Sequence, residues 1–298
     1  MLRLLMMMLI GLFAQLLDGS LGMSYGVSTT TFLLVAGLSP AAASSISHMA
    51  GVGTTTASGI SHWRFHNLNK HLVKWIMVPG AVGAFVGAFL LTSIPGNIVR
   101  PYISGFLLLL GGYILVRFVI GQRRRVKHER VNSSGNITLK KRFLIPLALF
   151  AGFMDTVGGG GWGPLMTPVL LTYRTMKARR VIGSVDTSEI AVVCAGAVAF
   201  VIALGFHGVH WTWVLALMTG GVIAAPVAAW IVRVIPEFIL GVLVGGMIIL
   251  MNARTLLHSG NWFPASWDPA VYSSVVTLWF CAIAFTLWRH HQSPPTKS

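Results

Sequence analysis

Two aspartates stand where a chain this apolar has little reason to carry charge. Asp18 lies in AQLLDGSLGMSYGVSTTTFLL (14–34) and Asp155 in AGFMDTVGGGGWGPLMTPVLL (151–171). The second is followed by four consecutive glycines, Gly158, Gly159, Gly160 and Gly161, and then by Trp162 and Gly163. A carboxylate in hydrocarbon is expensive and points to function by default. It can take a coupling proton or Na+, or it can cap a helix by accepting from the N–H groups of a turn. Glycine allows the turn and lets backbone N–H approach a ligand with no Cβ in the way. A helix broken inside a membrane leaves N–H groups at the start of its second half that must find a partner. An anion suits them, because helix N-termini carry partial positive charge. Pro164 fits the first turn of such a second helix, where no donor is lost.

The substrate-binding residues expected from this reasoning are Gly158 to Gly161, Trp162 and Gly163. In the first copy they are Gly22, Ser24, Tyr25, Gly26, Ser28 and Thr29, where hydroxyls replace some glycines. Asp18, Asp155, Asp186, Glu189 and His48 are the expected ion-coupling residues. Asp186 and Glu189 lie one turn apart on one helix face, with Arg179 or Arg180 as the plain structural partner for Asp186. No Ser/His/Asp or Cys/His arrangement gathers at one depth, so no catalytic residue is expected. His62 and His66 are four apart and His207 and His210 three apart. His66 and His207 fall on opposite membrane sides in the topology below, and only His48 is expected deep within a span, so neither a metal site nor a cofactor is expected. Residues 158–163 also fit G-x-G-x-x-G, but no strand pattern precedes them, which excludes a dinucleotide fingerprint. Cys194 and Cys281 both lie in apolar segments and give no disulfide framework.

Apolar blocks run along the whole chain, at 4–17, 41–60, 75–94, 102–120, 143–154, 190–206, 211–232, 238–251 and 271–288. Of the 298 residues, 55% are hydrophobic and only 10% charged, and the mean hydropathy is +0.75. Helices apolar all round, with so little soluble sequence between them, predict an all-α polytopic membrane protein. The net charge of +15 is carried between the apolar blocks. That pattern is topological, and it excludes nucleic acid as the partner.

The two aspartate segments are copies. At a constant offset of 137, Asp18 meets Asp155, Gly22 meets Gly159, Tyr25 meets Trp162, Gly26 meets Gly163 and Thr30 meets Thr167. Further on the offset is 141, so that Gly80 meets Gly221 and Ile94-Pro95 meets Ile235-Pro236. Asp186 roughly matches His48. Repeat 1 is thus placed at 1–120 and repeat 2 at 143–258, joined by a basic linker at 121–142 and followed by a C-terminal helix and tail at 259–298. Each repeat is expected to hold a Gly-broken helix pair and three transmembrane helices. A broken pair that returns to its side of entry leaves each half with an odd number of crossings, which makes the repeats inverted. The Lys and Arg positions agree: 19 of 22 fall inside if the repeats are inverted, against 14 if they are parallel. This places the linker and C-terminus in the cytoplasm and the chain in the plasma (inner) membrane. Gly83–Gly87 and Gly241–Gly245 are read as helix-packing positions.

Inverted repeats with interrupted helices point to a secondary transporter. The reading is a carrier of small anions driven by H+ or Na+, embedded in lipid, with a homodimer left open. The competing readings are a cation or metal carrier using the buried carboxylates, and a membrane enzyme or assembly subunit without transport activity. The segment GGGGWGPLMTPVLL, its weaker copy in the first half and the duplicated span pattern resemble the sulfite exporter TauE/SafE family, also called the toluene-sulfonate uptake permease family. The resemblance covers about residues 2–258, and the first-half G-M-S-Y-G departs from the usual glycine run. It implies a plasma-membrane carrier of sulfite, sulfonates or related organosulfur anions, driven by ion gradients.

Overall fold

The computed structural model describes residues 2–21, 25–120, 141–172, 178–206, 209–231, 237–258 and 268–291. Gly22, Ser24, most of the 121–142 linker, much of the basic loop at 172–180 and the tail after 291 lie outside them. The described residues form helices and short connections, with no strand among them. In order they are α1 (Leu2–Leu21), α2 (Tyr25–Val35), α3 (Pro40–Arg64), α4 (Lys70–Ser93), α5 (Gly96–Ile120), α6 (Lys141–Gly158), α7 (Trp162–Thr172), α8 (Ala178–Leu204), α9 (Trp211–Ile231), α10 (Glu237–His258) and α11 (Asp268–His291). Five of them are long and apolar enough to cross a membrane: α4, α5, α8, α9 and α11. α2 and α7 have 11 residues each. At about 1.5 Å per residue each spans about 16 Å, half of a bilayer's hydrocarbon.

Local chemistry sets several boundaries. Ser39 caps α3, its hydroxyl accepting from Ala42 N–H at 3.3 Å, and Pro40 follows in the first turn. Asn69 caps α4 through its side-chain oxygen, which accepts from His71 and Leu72 N–H at 3.0 and 3.1 Å. Polar groups are set into the apolar interior, and the outside is greasy, unlike that of a water-soluble bundle. Buried positions include Ser44, Ser47, His48, Thr54, Thr55 and Ser58 of α3, while Val78, Tyr102, Leu109 and Ile202 are exposed by 62–71%. Such a surface belongs against lipid.

The two halves interlock. α1 packs on α9 and α6 on α4, so each half's first helix lies against a long helix of the other half. α3 packs on both α8 and α9, α4 packs on α8 as well as α6, and α5 packs on α10. The two main crossings are built alike. In the first, a Cβ on Gly11 would strike the Leu217 carbonyl, and one on Gly220 would strike the carbonyl of Met8. In the second, Gly152 faces the Gly80 carbonyl and Gly83 faces the carbonyl of Leu149. Each helix thus offers a glycine and, three residues earlier, a carbonyl, which lets the backbones touch. Gly87 also lies against α6, at Phe153 and Thr156, and Gly245 against Gly111 and Leu115 of α5. The packing role read for Gly83, Gly87 and Gly245 is what the described residues show. α11 is peripheral: Trp279 fills the space over Gly246 and donates to the Val242 carbonyl at 3.0 Å, while Leu278 and Phe280 face outward.

Gly152→Leu and Gly220→Leu place a side chain into backbone, which cannot yield as a side chain does. Each is expected to lower stability by at least the ~1–3 kcal/mol typical of overpacking, whereas Gly105→Leu, with open space around it, leaves the thermal midpoint of the detergent-solubilised protein unchanged.

Candidate functional site

Asp155 lies in the last turn of α6, and the chain turns back over it. Gly159 has a φ of 70°, in the left-handed region that favours glycine. The turn brings the N–H groups of Gly161 and Trp162 onto Asp155 Oδ1, at 2.7 and 2.9 Å. A carboxylate oxygen therefore occupies the N-terminus of α7 and takes two of its unpaired donors. Trp162 points away from this turn. Its indole N–H donates to the Val185 carbonyl at 3.0 Å, and its ring covers Gly80.

The start of α2 closes against the same turn. Thr30 Oγ1 donates to the Gly159 carbonyl at 2.7 Å. The backbone of Gly26 rests on Gly159 and Gly160, and Gly160 rests on Val27, with no room for a Cβ at either place. From α3, Ser44 Oγ donates to the Thr156 carbonyl at 2.7 Å, and Thr156 Oγ1 donates to the Ala84 carbonyl of α4 at 2.9 Å. The broken segments of the two halves thus meet, as expected from the repeat. Between them lies a closed crevice, too narrow in this conformation to hold even a water, lined by Asp18, Tyr25, Gly26, Asp155, Gly161 and Glu189, among others.

Not every expected residue faces it. Thr29 turns to α3, where its hydroxyl and that of Ser47 are 2.5 Å apart. Gly158 is covered by the Phe106 ring. The Ser28 hydroxyl is buried and makes no hydrogen bond among the described residues. Gly160 and Gly163 line the crevice.

The acids divide into two groups. His48 Nδ1 is 2.8 Å from the Ser44 carbonyl, an acceptor, so Nδ1 donates. Its Nε2 stands 3.2 Å from Asp155 Oδ2. The Asp155 side chain is thus bonded to the helix at one oxygen and has the imidazole beside the other. On the far side of the crevice, Asp18 of α1 meets Asp186 and Glu189 of α8. One carboxylate oxygen from each lies within 4.8 Å of the others, and all three residues are buried. The repeat makes the comparison direct: the aspartate of one broken helix meets an imidazole on α3, and its mate meets a carboxylate at the matching place on α8.

The plain partner expected for Asp186 is not the one found. Arg179 and Arg180 are exposed, and Asp186 Oδ2 lies 3.7 Å from His62 Nε2. Six residues along a helix is about 120° away from the same face, which turns Arg180 outward when Asp186 turns in. His62, near the end of α3, is fully buried as well as His48, since the end of α3 lies under α8. Ser58, one turn before His62, is buried and was not singled out from the sequence. Buried Gln15, one turn before Asp18, was also missed. Both carry the signal of a polar residue on an otherwise apolar helix face.

A family profile described as "Sulfite exporter TauE/SafE" matches residues 7–255. The chain is 46% identical over 286 residues to the "Probable membrane transporter protein YtnM" of Bacillus subtilis (strain 168), covering 96% of this chain and 93% of that protein. Two further proteins of that organism are similar. "Probable membrane transporter protein YdhB" is 26% identical over 80% of this chain and 93% of its own length, and "Probable membrane transporter protein YjnA" is 24% identical over 59% and 70%. No solved structure matches the chain.

Asp155→Ala removes the acceptor for two buried N–H groups and is expected to destabilise the protein by about 1–2 kcal/mol, the upper part of the helix-capping range. Asp155→Asn keeps one side-chain oxygen and should recover most of that loss in thermal unfolding.

Proposed function

Because the chain belongs to the sulfite exporter TauE/SafE family and is a membrane transporter, we propose that it carries small oxyanions of the sulfite and sulfonate type, binding them at the N-terminus of α7. The observation that carries this reading is the pair of N–H bonds to Asp155 Oδ1. Two backbone donors, at the positive end of a helix, already hold one anionic oxygen in a buried crevice. A sulfite or sulfonate oxygen makes the same demand. The substrate binds when the Asp155 carboxylate withdraws toward His48, so Asp155 serves as an internal stand-in that keeps the donors satisfied between cycles. No Lys or Arg is needed for this, and among the described residues none is buried.

The repeats are read as inverted, with the crevice near the bilayer midplane, in the manner of transporters whose broken helices present their N-termini to an anionic group. Alternating exposure then comes from one half rocking against the other about the α1–α9 and α4–α6 crossings. The carrier is placed in the plasma membrane with the linker and C-terminus cytoplasmic, and its flux is driven by an ion gradient.

Uptake of labelled sulfite into proteoliposomes tests the reading. Gly160→Leu drives a side chain into the backbone of α2, and it should abolish saturable flux while the protein still elutes as a monodisperse species. Unchanged flux in that variant, or flux in the wild type no greater than in empty liposomes, would remove the glycine turn or sulfite respectively from the account.

A further inference from the structure

We propose that His48 takes up the proton that accompanies the anion, and that its protonation draws the Asp155 carboxylate off the start of α7. The proposal rests on the carrier reading above and adds to it the coupling ion and the residue that binds it. In this conformation the crevice is closed, and Asp155 Oδ1 occupies the donors of Gly161 and Trp162. An anion reaches those donors only after the carboxylate has moved, and two negative charges then stand side by side. Charges of one sign that close disfavour each other unless a positive group lies beside them. Among the described residues no Lys or Arg is buried. The group beside the second oxygen of Asp155 is an imidazole, with His48 Nε2 3.2 Å from Oδ2.

The fold holds that ring in one orientation. Nδ1 is 2.8 Å from the Ser44 carbonyl, one turn back on α3, which makes it the donor nitrogen. Nε2 is then the nitrogen that gains or loses a proton. It is buried and makes no hydrogen bond among the described residues. The Ser44 hydroxyl donates to the Thr156 carbonyl at 2.7 Å, so α3 is fastened to the last turn of α6 beside the contact. On α8 the ring lies over Gly196, where a Cβ would stand 2.6 Å from His48 Cδ2, and it meets Phe200 edge-on with 5.7 Å between centroids. α3, α6 and α8 together set one nitrogen against one carboxylate oxygen.

The groups around His48 are few. From α6 it faces Asp155. Gly196 and Phe200 of α8 are uncharged, and α2 meets this part of α3 through the hydroxyls of Thr29 and Ser47. The other titratable groups, Asp18 of α1, Tyr25 of α2 and Glu189 of α8, line the crevice together with Asp155. Imidazole is the side chain whose charge changes between about pH 5 and 8. Protonated, it pairs with the carboxylate, α7 gives up Asp155, and the anion takes the two N–H groups. Anion and proton leave together on the other side, and Asp155 returns to α7. One proton moves with each anion, each raises the affinity for the other, and the coupling is reciprocal.

The test reads the proton first, with no anion present. The full chain is labelled with 15N in its histidine rings and purified in detergent, and the His48 signals are identified by their absence from His48→Gln. Between pH 5 and pH 9 they should titrate, with a midpoint that moves in Asp155→Asn and stays in Asp268→Asn. Signals that do not change over that range, or a midpoint indifferent to Asp155→Asn, overturn the proposal. The second arm is flux of labelled sulfite in proteoliposomes. An inside-alkaline gradient should drive accumulation in the wild type above that in empty liposomes. Glutamine keeps an N–H donor for Asp155 but takes up no proton, so in His48→Gln accumulation falls to its level without a gradient while sulfite-for-sulfite exchange at equal pH continues. Gradient-driven accumulation that survives His48→Gln, or wild-type flux that ignores the gradient, overturns the proposal. If His48→Gln loses exchange as well, the titration decides. A wild type that carries no sulfite at all removes the substrate reading, and the titration again decides for His48.

Discussion

A helix that begins inside a protein buried in lipid exposes N–H groups with no water to receive them. Each such group left unpaired costs on the order of 1–3 kcal/mol in a protein interior and several in hydrocarbon. Much of the site follows from how α7 meets that cost. Asp155 offers one oxygen to Gly161 and Trp162, and a charge-assisted bond of this kind is roughly twice as strong as a neutral one. Its other oxygen is turned to His48. Thr30 and Ser44 then fasten α2 and α3 to the turn and to the end of α6. Gly159 turns the chain at a positive φ, and Gly160 allows the closure because there α2 and the turn touch backbone to backbone. The same arrangement makes the position replaceable, since a donor pair satisfied by a side chain can be satisfied by a ligand of the same charge.

The scaffold around this turn is held by a different kind of contact. At the α1–α9 and α4–α6 crossings glycine meets carbonyl in both directions. Apolar side chains gain little from burial against each other when lipid is the alternative, so close backbone approach carries the association. Bulky residues cover much of the outside, while hydroxyls, amides and acids are gathered inside among buried apolar side chains. A polar interior in a low-dielectric body is costly where groups go unpaired and strong where they are paired. Both conditions are met here: the α6–α7 turn is fully engaged, and the amide of Gln15 is not.

Much of this was legible in the residues. The doubled DGS…G and DTVGGGG segments gave the break, the repeat gave the matching of helices, and aspartate in an apolar run gave the candidate acids. The pairings were less accessible. That Asp186 meets His62 depends on where α3 crosses α8, which no local pattern encodes; charge proximity in sequence pointed to Arg179 and Arg180, but helix phase turns Arg180 outward, and Arg179, two turns away along the same face, is exposed at the start of α8. Ser58 and Gln15 were hidden among residues that bond their own helix backbone or cap turns, as Thr54, Thr55 and Thr56 do. Thr29 was expected toward the ligand and instead meets Ser47, because an 11-residue helix against a long one commits one face to that neighbour.

The central claim is that an oxyanion takes the place of Asp155 at the start of α7. Gly161-Trp162 is the one Gly-Trp step in the sequence, so glycine labelled with 13C at the carbonyl and tryptophan labelled with 15N single out the Trp162 amide by magnetic resonance. Titration of the purified protein with sulfite should shift that one resonance saturably, over the concentration range in which flux saturates. A resonance that stays in place while sulfite is transported would contradict the account, and would put the substrate elsewhere in the molecule.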